Sequence, residues 1–315
     1  MISFTINVKN EVSSFDGTKD ENMAMLSAII RNNGKVDDNS ITITTENSKV
    51  ARRIYTLISD IYNVSVNIFD KNNSFNRNRL YVINFRDEKD FILKDLGILS
   101  SNGEYLETIP DYLIDSEEAR RAYLKGVFLA CGSVNDPKTS RYHLEFFIDL
   151  TSEAYFVNDL LNEYLLNSKV IAKDKKYMVY VKEAEKIGDF LRIIGANDAV
   201  MYYEDIRIYR DHKNMTNRLN NMEQANIEKV INTCNEQIKD IELIYEKLGK
   251  DTLDDKTYEA AIYRMKYPES SLQELSEIMT LETGKPITKS GLNHRMRKIK
   301  EIAKKLRSSD KNEIF

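Results

Sequence analysis

Cysteine and histidine are scarce in this chain, with two of the first, Cys131 and Cys234, and three of the second in 315 residues. Two widely separated thiols cannot form the disulfide framework that holds small secreted domains, and the scattered histidines give no zinc-ligand spacing beside them. No structural metal and no cofactor are expected. Long apolar runs are missing too. No stretch approaches the roughly 20 apolar residues of a membrane-spanning helix, and the opening residues MISFTINVKNEV lack the layout of a secretory signal. With 42% hydrophobic and 30% charged residues and a mean hydropathy of −0.49, the composition reads as a soluble protein expected in the cytoplasm. The length suffices for two or three domains with real cores.

Acids are nearly absent from one segment. From Lys285 to Arg307 nine basic residues stand against a single acid, Glu301, so this segment carries +8 and the remainder −12 in a chain of net charge −4. A basic segment on an acidic body is the electrostatic footprint of a nucleic-acid module attached to something else. The same count also suits a solvated helix face.

The body repeats itself. Residues 25–36, MLSAIIRNNGKV, recur in kind as YLKGVFLACGSV at 123–134, with Leu26 and Leu124, and Gly34 and Gly132, each 98 positions apart. Beyond Gly34 the pattern predicts a strand at 41–45, a helix at 48–63, strands at 64–69 and 79–85 and a helix at 90–98. Beyond Gly132 the same order recurs: a strand at 143–150, a helix at 152–167, strands at 169–172 and 176–181, and a helix at 189–195. A repeat of this length is too long for a solenoid and predicts a duplicated α/β half-domain with pseudo-two-fold symmetry, hence an α+β body. The two opening helices are expected to pack together through Ser27, Ala28, Gly126 and Ala130, small residues that permit close approach. Gly34 and Gly132 are expected to end them as C′ glycines. The half-domains are placed at 1–100 and 101–205, followed by a linker with a long helix at 206–250.

In that linker Ile227, Ile231, Cys234, Ile238, Ile241 and Leu248 are spaced as one packed face. The stretch around Arg210, Asn214, Asn217 and Arg218 offers groups for phosphates or a neighbouring domain. Residues 251–315 then read as an all-α domain of three helices, around KTYEAAIYRMKY, SLQELSEIM and KSGLNHRMRKIKEIAKKL. Ser271 with Glu274 makes a capping box, and Ser290 is the candidate N-cap of the last helix. This is a helix-turn-helix layout, with TLETGKPIT (280–288) as a long connection. Leu292, Met296 and Ile299 share the inward face of the last helix, while Ser290, His294, Arg297 and Lys298 gather opposite. The expected DNA-binding residues are Lys289, Ser290, Asn293, His294, Arg295, Arg297 and Lys298. Lys304, Lys305 and Arg307 lie too far along to read bases and suit phosphates or solvent.

LSAIIRNNG (26–34) and LKGVFLACG (124–132) resemble the signature of the LAGLIDADG homing endonucleases. In that family an acid at the end of each signature helix binds the divalent metals that cleave DNA. The matching positions here are Asn33 and Cys131, and the other acid of the motif is replaced by Arg31 and Leu129. Cleavage by two metals needs carboxylates to hold the ions together, so no catalytic residue and no metal are expected. The stretches at 123–137, 158–171, 194–200 and 290–306, with the order of domains, resemble the WhiA family of bacterial sporulation regulators, in which a degenerate LAGLIDADG domain precedes a helix-turn-helix. That resemblance implies a DNA-binding transcriptional regulator of sporulation or of cell division and chromosome segregation, acting on double-stranded DNA at the nucleoid. It also implies an RNA polymerase sigma factor as a kind of partner, and no membrane. Two extra residues or so near TLETGKPIT depart from the family pattern. Two other readings stay open: an active homing endonuclease, and a mainly protein-binding module. Because one chain supplies both halves of the pseudo-dyad, a monomer is expected.

Overall fold

The computed structural model describes residues 3–72, 79–139 and 141–312. They fall into two compact units, Met1–Asp211 and His212–Phe315.

The first unit opens with α1 (Phe4–Val12) and α2 (Lys19–Asn33), followed by β1 (Gly34–Val36), β2 (Ile41–Thr45), α3 (Ser48–Tyr62), β3 (Val66–Asn72), β4 (Arg79–Phe85) and α4 (Lys89–Asp95). The second half repeats the order from α2 onward: α5 (Glu117–Cys131), β5 (Gly132–Val134), β6 (Leu144–Ile148), α6 (Thr151–Glu163), β7 (Lys169–Lys173), β8 (Lys176–Val181) and α7 (Ala184–Ile193). The sheets agree strand for strand, β1-β2-β4-β3 and β5-β6-β8-β7. Every pairing is antiparallel, and the register matches as well, since Gly34 pairs with Ile43 and Gly132 with Phe146. Alternation fixes which face is inside: Ile41, Ile43, Ile83 and Phe85 are buried in one sheet, and Leu144, Phe146, Ile148 and Val179 in the other. The duplicated α+β body is thus observed.

The helix pair α2 and α5 is its centre. Every residue of α2 from Ala24 to Arg31 is buried, as is α5 from Ala122 to Leu129, so neither helix keeps a solvent face through its middle. The small residues divide their work differently from the sequence expectation. Gly126 faces Ala28: a Cβ built on Gly126 would lie 2.7 Å from that of Ala28 and 2.3 Å from the Met25 carbonyl oxygen. Ser27 turns away and donates its hydroxyl to the Leu96 carbonyl at 2.8 Å. Ala130 is only half-buried.

Gly34 and Gly132 end the helices, but not in the left-handed conformation expected of C′ glycines. Their φ and ψ are −78° and 127°, and −82° and 149°, because each leads straight into a strand. The need for glycine is steric instead. A Cβ would sit 2.5 Å from the Ile30 carbonyl oxygen at Gly34 and 2.8 Å from the Phe128 Cα at Gly132.

Sequence reasoning did not place α1. Ser3 caps it, accepting from Ile6 N–H, and Phe4, Val8 and Val12 bury one side of it. Its last full turn also caps another helix: the Glu11 carboxylate accepts from the amides of Asp198 (2.7 Å) and Ala199 (3.1 Å), at the start of α8 (Asn197–Leu248).

Helix α8 runs unbroken for 52 residues. Of the apolar residues expected to pack along it, Cys234 and Ile241 are buried, and Ile244 joins them, whereas Ile227, Ile231 and Leu248 are exposed. At Ile227 the expectation fails because no element of the second unit covers residues 212–229, which are exposed without exception. The second unit is otherwise built from the end of α8 with α9 (Asp255–Lys266), α10 (Leu272–Thr283) and α11 (Lys289–Asn312). Ile241, Ile244, Ala260, Ala261, Leu275, Met279, Leu292, Met296 and Ile299 form its core.

Candidate nucleic-acid interface

The pair α10 and α11 is set by hydrogen bonds that the local sequence supplies. Ser271 and Glu274 close the capping box at the start of α10, each side chain accepting from the other's backbone N–H. At its end Gly284 takes φ +67°, the left-handed cap. The stretch TLET is therefore helical, and the connection shortens to residues 284–288. The Thr280 hydroxyl oxygen pins it by accepting from Ile287 N–H at 3.0 Å.

Ser290 does not cap α11. Thr288 does, its hydroxyl accepting from Gly291 N–H at 3.1 Å and its carbonyl from Leu292 N–H at 2.9 Å. Ser290 consequently sits within the first turn, exposed. That turn contains no acid, and its first residue is Lys289. A helix N-terminus ordinarily attracts carboxylates. One that presents free N–H groups, a hydroxyl and an ammonium is arranged for an external anion.

Leu292, Met296 and Ile299 are buried, so the opposite face of α11 is outside. Lys289, Ser290, His294 and Arg297 are exposed and Asn293 half-buried. None of Lys289, His294 and Arg297 makes an ion pair among the described residues. Arg295 and Lys298 behave differently. Arg295 Nη1 lies 3.6 Å from Glu259 Oε2 of α9, and Lys298 pairs with Asp254, the N-cap of α9. That ammonium, with the Thr257 amide, holds the Asp254 carboxyl well below the usual carboxylate range. These two cations fasten α11 to α9, and the unpaired guanidinium on the face is Arg297. Further along, Arg307 reaches Asp240 at 2.5 Å and Lys300 lies 3.5 Å from Glu236. Sequence reasoning missed Asp254, although an aspartate before a helical run is a recognisable cap.

The two positions matched to catalytic acids lie at the ends of the central helices, as their motif requires, but their side chains are engaged in the fold. Asn33 donates from Nδ2 to the Thr44 carbonyl at 2.7 Å. The Cys131 thiol donates to the Val127 carbonyl at 3.4 Å, and burial pushes its pKa up to about 12 against the pull of Lys9. Lys9, unremarked in the sequence, projects from α1 into the same region. Its Nζ donates to the Leu129 carbonyl at 3.1 Å, and burial lowers its pKa. Lys9, Asn33, Thr44 and Leu129 line a cleft of about 630 Å³. Among the described residues no group of three His, Cys, Asp or Glu side chains is placed to hold a metal ion. An ammonium, an amide and a thiol are a poor donor set for magnesium.

Arg31, matched to the other acid of the motif, is buried and donates to the carbonyls of Gly97, Leu106 (3.0 Å) and Thr108 (3.3 Å). It also lies 4.0 Å from Glu153 of the second half, whose Oε1 accepts from Tyr123 and Asn32. This end of the helix pair holds the two halves together.

A LAGLIDADG-type body without its acids, joined to a helix-turn-helix, defines a class of DNA-binding proteins, and the comparisons agree with it. Residues 19–99 match the WhiA N-terminal LAGLIDADG-like domain, residues 120–213 the WhiA LAGLIDADG-like domain and residues 216–303 the WhiA C-terminal HTH domain. The chain belongs to the WhiA family. It is 43% identical over 318 residues to a probable cell division protein WhiA of Staphylococcus haemolyticus, with 99% of this chain and 100% of that one covered. A Staphylococcus saprophyticus protein of the same name is 42% identical over the same coverage. The fold is similar to that of full-length DUF199/WhiA from Thermatoga maritima (TM-score 0.59, 23% identity, 96% of this chain and 99% of that one). No helix among the described residues is long and apolar enough to cross a membrane.

Proposed function

We propose that the chain is a sequence-specific DNA-binding regulator of transcription, active in cell division and chromosome segregation or in sporulation, and that it does not cleave DNA. The observation that carries this is the free face of α11, where Lys289, Ser290, Asn293, His294 and Arg297 stand beside a first turn without acids. An exposed recognition helix placed second in a helix-turn-helix reads base edges from its N-terminal half. The role in cell division is taken from the names of the relatives. Arg295 and Lys298 contribute by fixing the helix, and Lys298 exchanges Asp254 for a phosphate only at the expense of that pair.

The absence of cleavage is supported by the donors at Asn33 and Cys131, both bonded within the fold. A monomer is supported by a body whose two halves are supplied by one chain. A role at the nucleoid follows from DNA binding, and a sigma factor is a partner the family suggests. The test is occupancy of the tagged chain across its own genome, with a supercoiled-plasmid assay in magnesium and in manganese alongside. Discrete sites without strand breaks are expected. Uniform occupancy, or metal-dependent nicking, overturns the reading.

A further inference from the structure

The stretch 212–229 of α8 is unlike any other helix in the protein. It is exposed on all sides, and from His212 to Met222 it contains no acid, only His212, Lys213 and Arg218 among charged or titratable groups. It also carries five asparagines, Asn214, Asn217, Asn220, Asn221 and Asn226, a weak helix former repeated where no packing supports the helix. A helix face meant only for water is ordinarily laced with opposite charges three or four residues apart. Such pairing occurs earlier in the same helix, where Arg207 Nε lies 2.7 Å from Glu204. Here none of the five asparagine side chains makes a hydrogen bond, and neither Lys213 nor Arg218 makes an ion pair, among the described residues.

The amides are also ordered around the helix. Lys213, Asn217 and Asn220 are spaced four and then three apart and share one face, with Asn221 at its border. Met215, Leu219 and Met222 repeat the spacing two residues later and lie opposite, exposed at 62%, 50% and 57%. Unpaired side-chain amides with free cations, and no acid between His212 and Met222, suit a polyanion that presents hydrogen-bonding edges. Asparagine pairs with adenine through two bonds, and lysine and arginine neutralise phosphates. The match to the helix-turn-helix domain begins at residue 216, inside this stretch.

We propose that residues 212–229 form a second contact with double-stranded DNA, in which the face bearing Lys213, Asn217 and Asn220 lies against the duplex beside the site read by α11. This rests on the DNA-binding reading above. A duplex covers a segment that the protein leaves exposed, and it accounts for amides where a solvated helix would carry charge pairs.

The test uses the full chain and a labelled duplex enriched by the wild-type protein from a random-sequence pool. Alanine is the better helix former, so Asn217→Ala/Asn220→Ala retains the helix, which circular dichroism checks. This variant is expected to bind about fivefold more weakly or worse. Lys213→Ala is expected to lower the slope of log affinity against log salt by nearly one. Met215→Ala/Met222→Ala is expected to bind as wild type. Amide and cation variants that both bind as wild type, while Arg297→Ala is weakened, overturn this inference and leave the role of α11 standing. Loss of binding confined to the methionine variant assigns the stretch to a protein contact and overturns it likewise. Failure of the wild-type chain to enrich any duplex overturns both readings.

Discussion

The Tyr123 hydroxyl donates to Glu153 Oε1 at 2.5 Å, from the middle of α5 to the first turn of α6, with the tyrosine fully buried. The same carboxylate oxygen takes a second bond from Asn32 of the first half, and its partner oxygen faces Arg31 at 4.0 Å. A carboxylate this deep is tolerated only while its partners stay in place. Tyr123→Phe removes one of them without opening a cavity and is expected to cost about 1–3 kcal/mol. Chemical denaturation of the variant measures it, and an unchanged midpoint would show that Asn32 and Arg31 suffice alone.

Replacing Gly126 with leucine forces a side chain into the contact with Ala28 and the Met25 carbonyl. Overpacking of this kind costs about 1–3 kcal/mol, and more where backbone must move. The melting temperature of the first unit should fall. A variant that melts with the wild type would separate the helices at that point and contradict the packing.

The exposed face of α11 separates from the ends of the central helices in a binding experiment. Arg297→Ala is expected to weaken binding to an enriched duplex by losing either a guanine contact of about 1–3 kcal/mol or one phosphate contact. Asn33→Ala and Cys131→Ala should leave affinity nearly unchanged, with no dependence on magnesium. The reverse pattern in titrations would move DNA recognition onto the body.

Lys125 supplies a pH test. Its ammonium lies 3.1 Å from the centre of the Phe15 ring, and burial lowers its pKa from 10.5 to about 8, against the pull of Glu21. Between those two values the unfolded chain holds a proton that the folded chain has released. The unfolded state binds more protons there, so this group makes stability rise with pH from about 8 to about 10.5. Lys125→Met removes the contribution, and the wild type should gain on the variant across that window. Parallel stability curves would place the lysine outside the packed face.

The sequence carried the repeat and the trihelical domain because each rests on periodicity and spacing. The offset of 98 aligned both central helices, and Leu292, Met296 and Ile299 pointed inward as their spacing required. Features that depend on partners far along the chain were not legible. The capping of α8 joins Glu11 to Asp198, and the Lys298 pair with Asp254 spans three helices in sequence. Lys9 gave no signal because a lysine in a short amphipathic helix looks solvated until a neighbouring carbonyl is placed beside it. Helix α10 continues past Met279, where the pattern SLQELSEIM ends, to Thr283, since Thr280 and Thr283 bond back to the Ser276 and Met279 carbonyls.

Position 126 matches position 28 under the offset of 98, so the two residues that touch across the dyad, glycine and alanine, occupy equivalent places in the two halves. Two identical chains would have to solve that crowding twice with the same residue. Once the copies share a chain, one change relieves both sides, and its twin is free to drift. The same freedom holds at Asn33 and Cys131, also 98 positions apart, which are different residues with different bonds at places that two identical chains would have to fill alike.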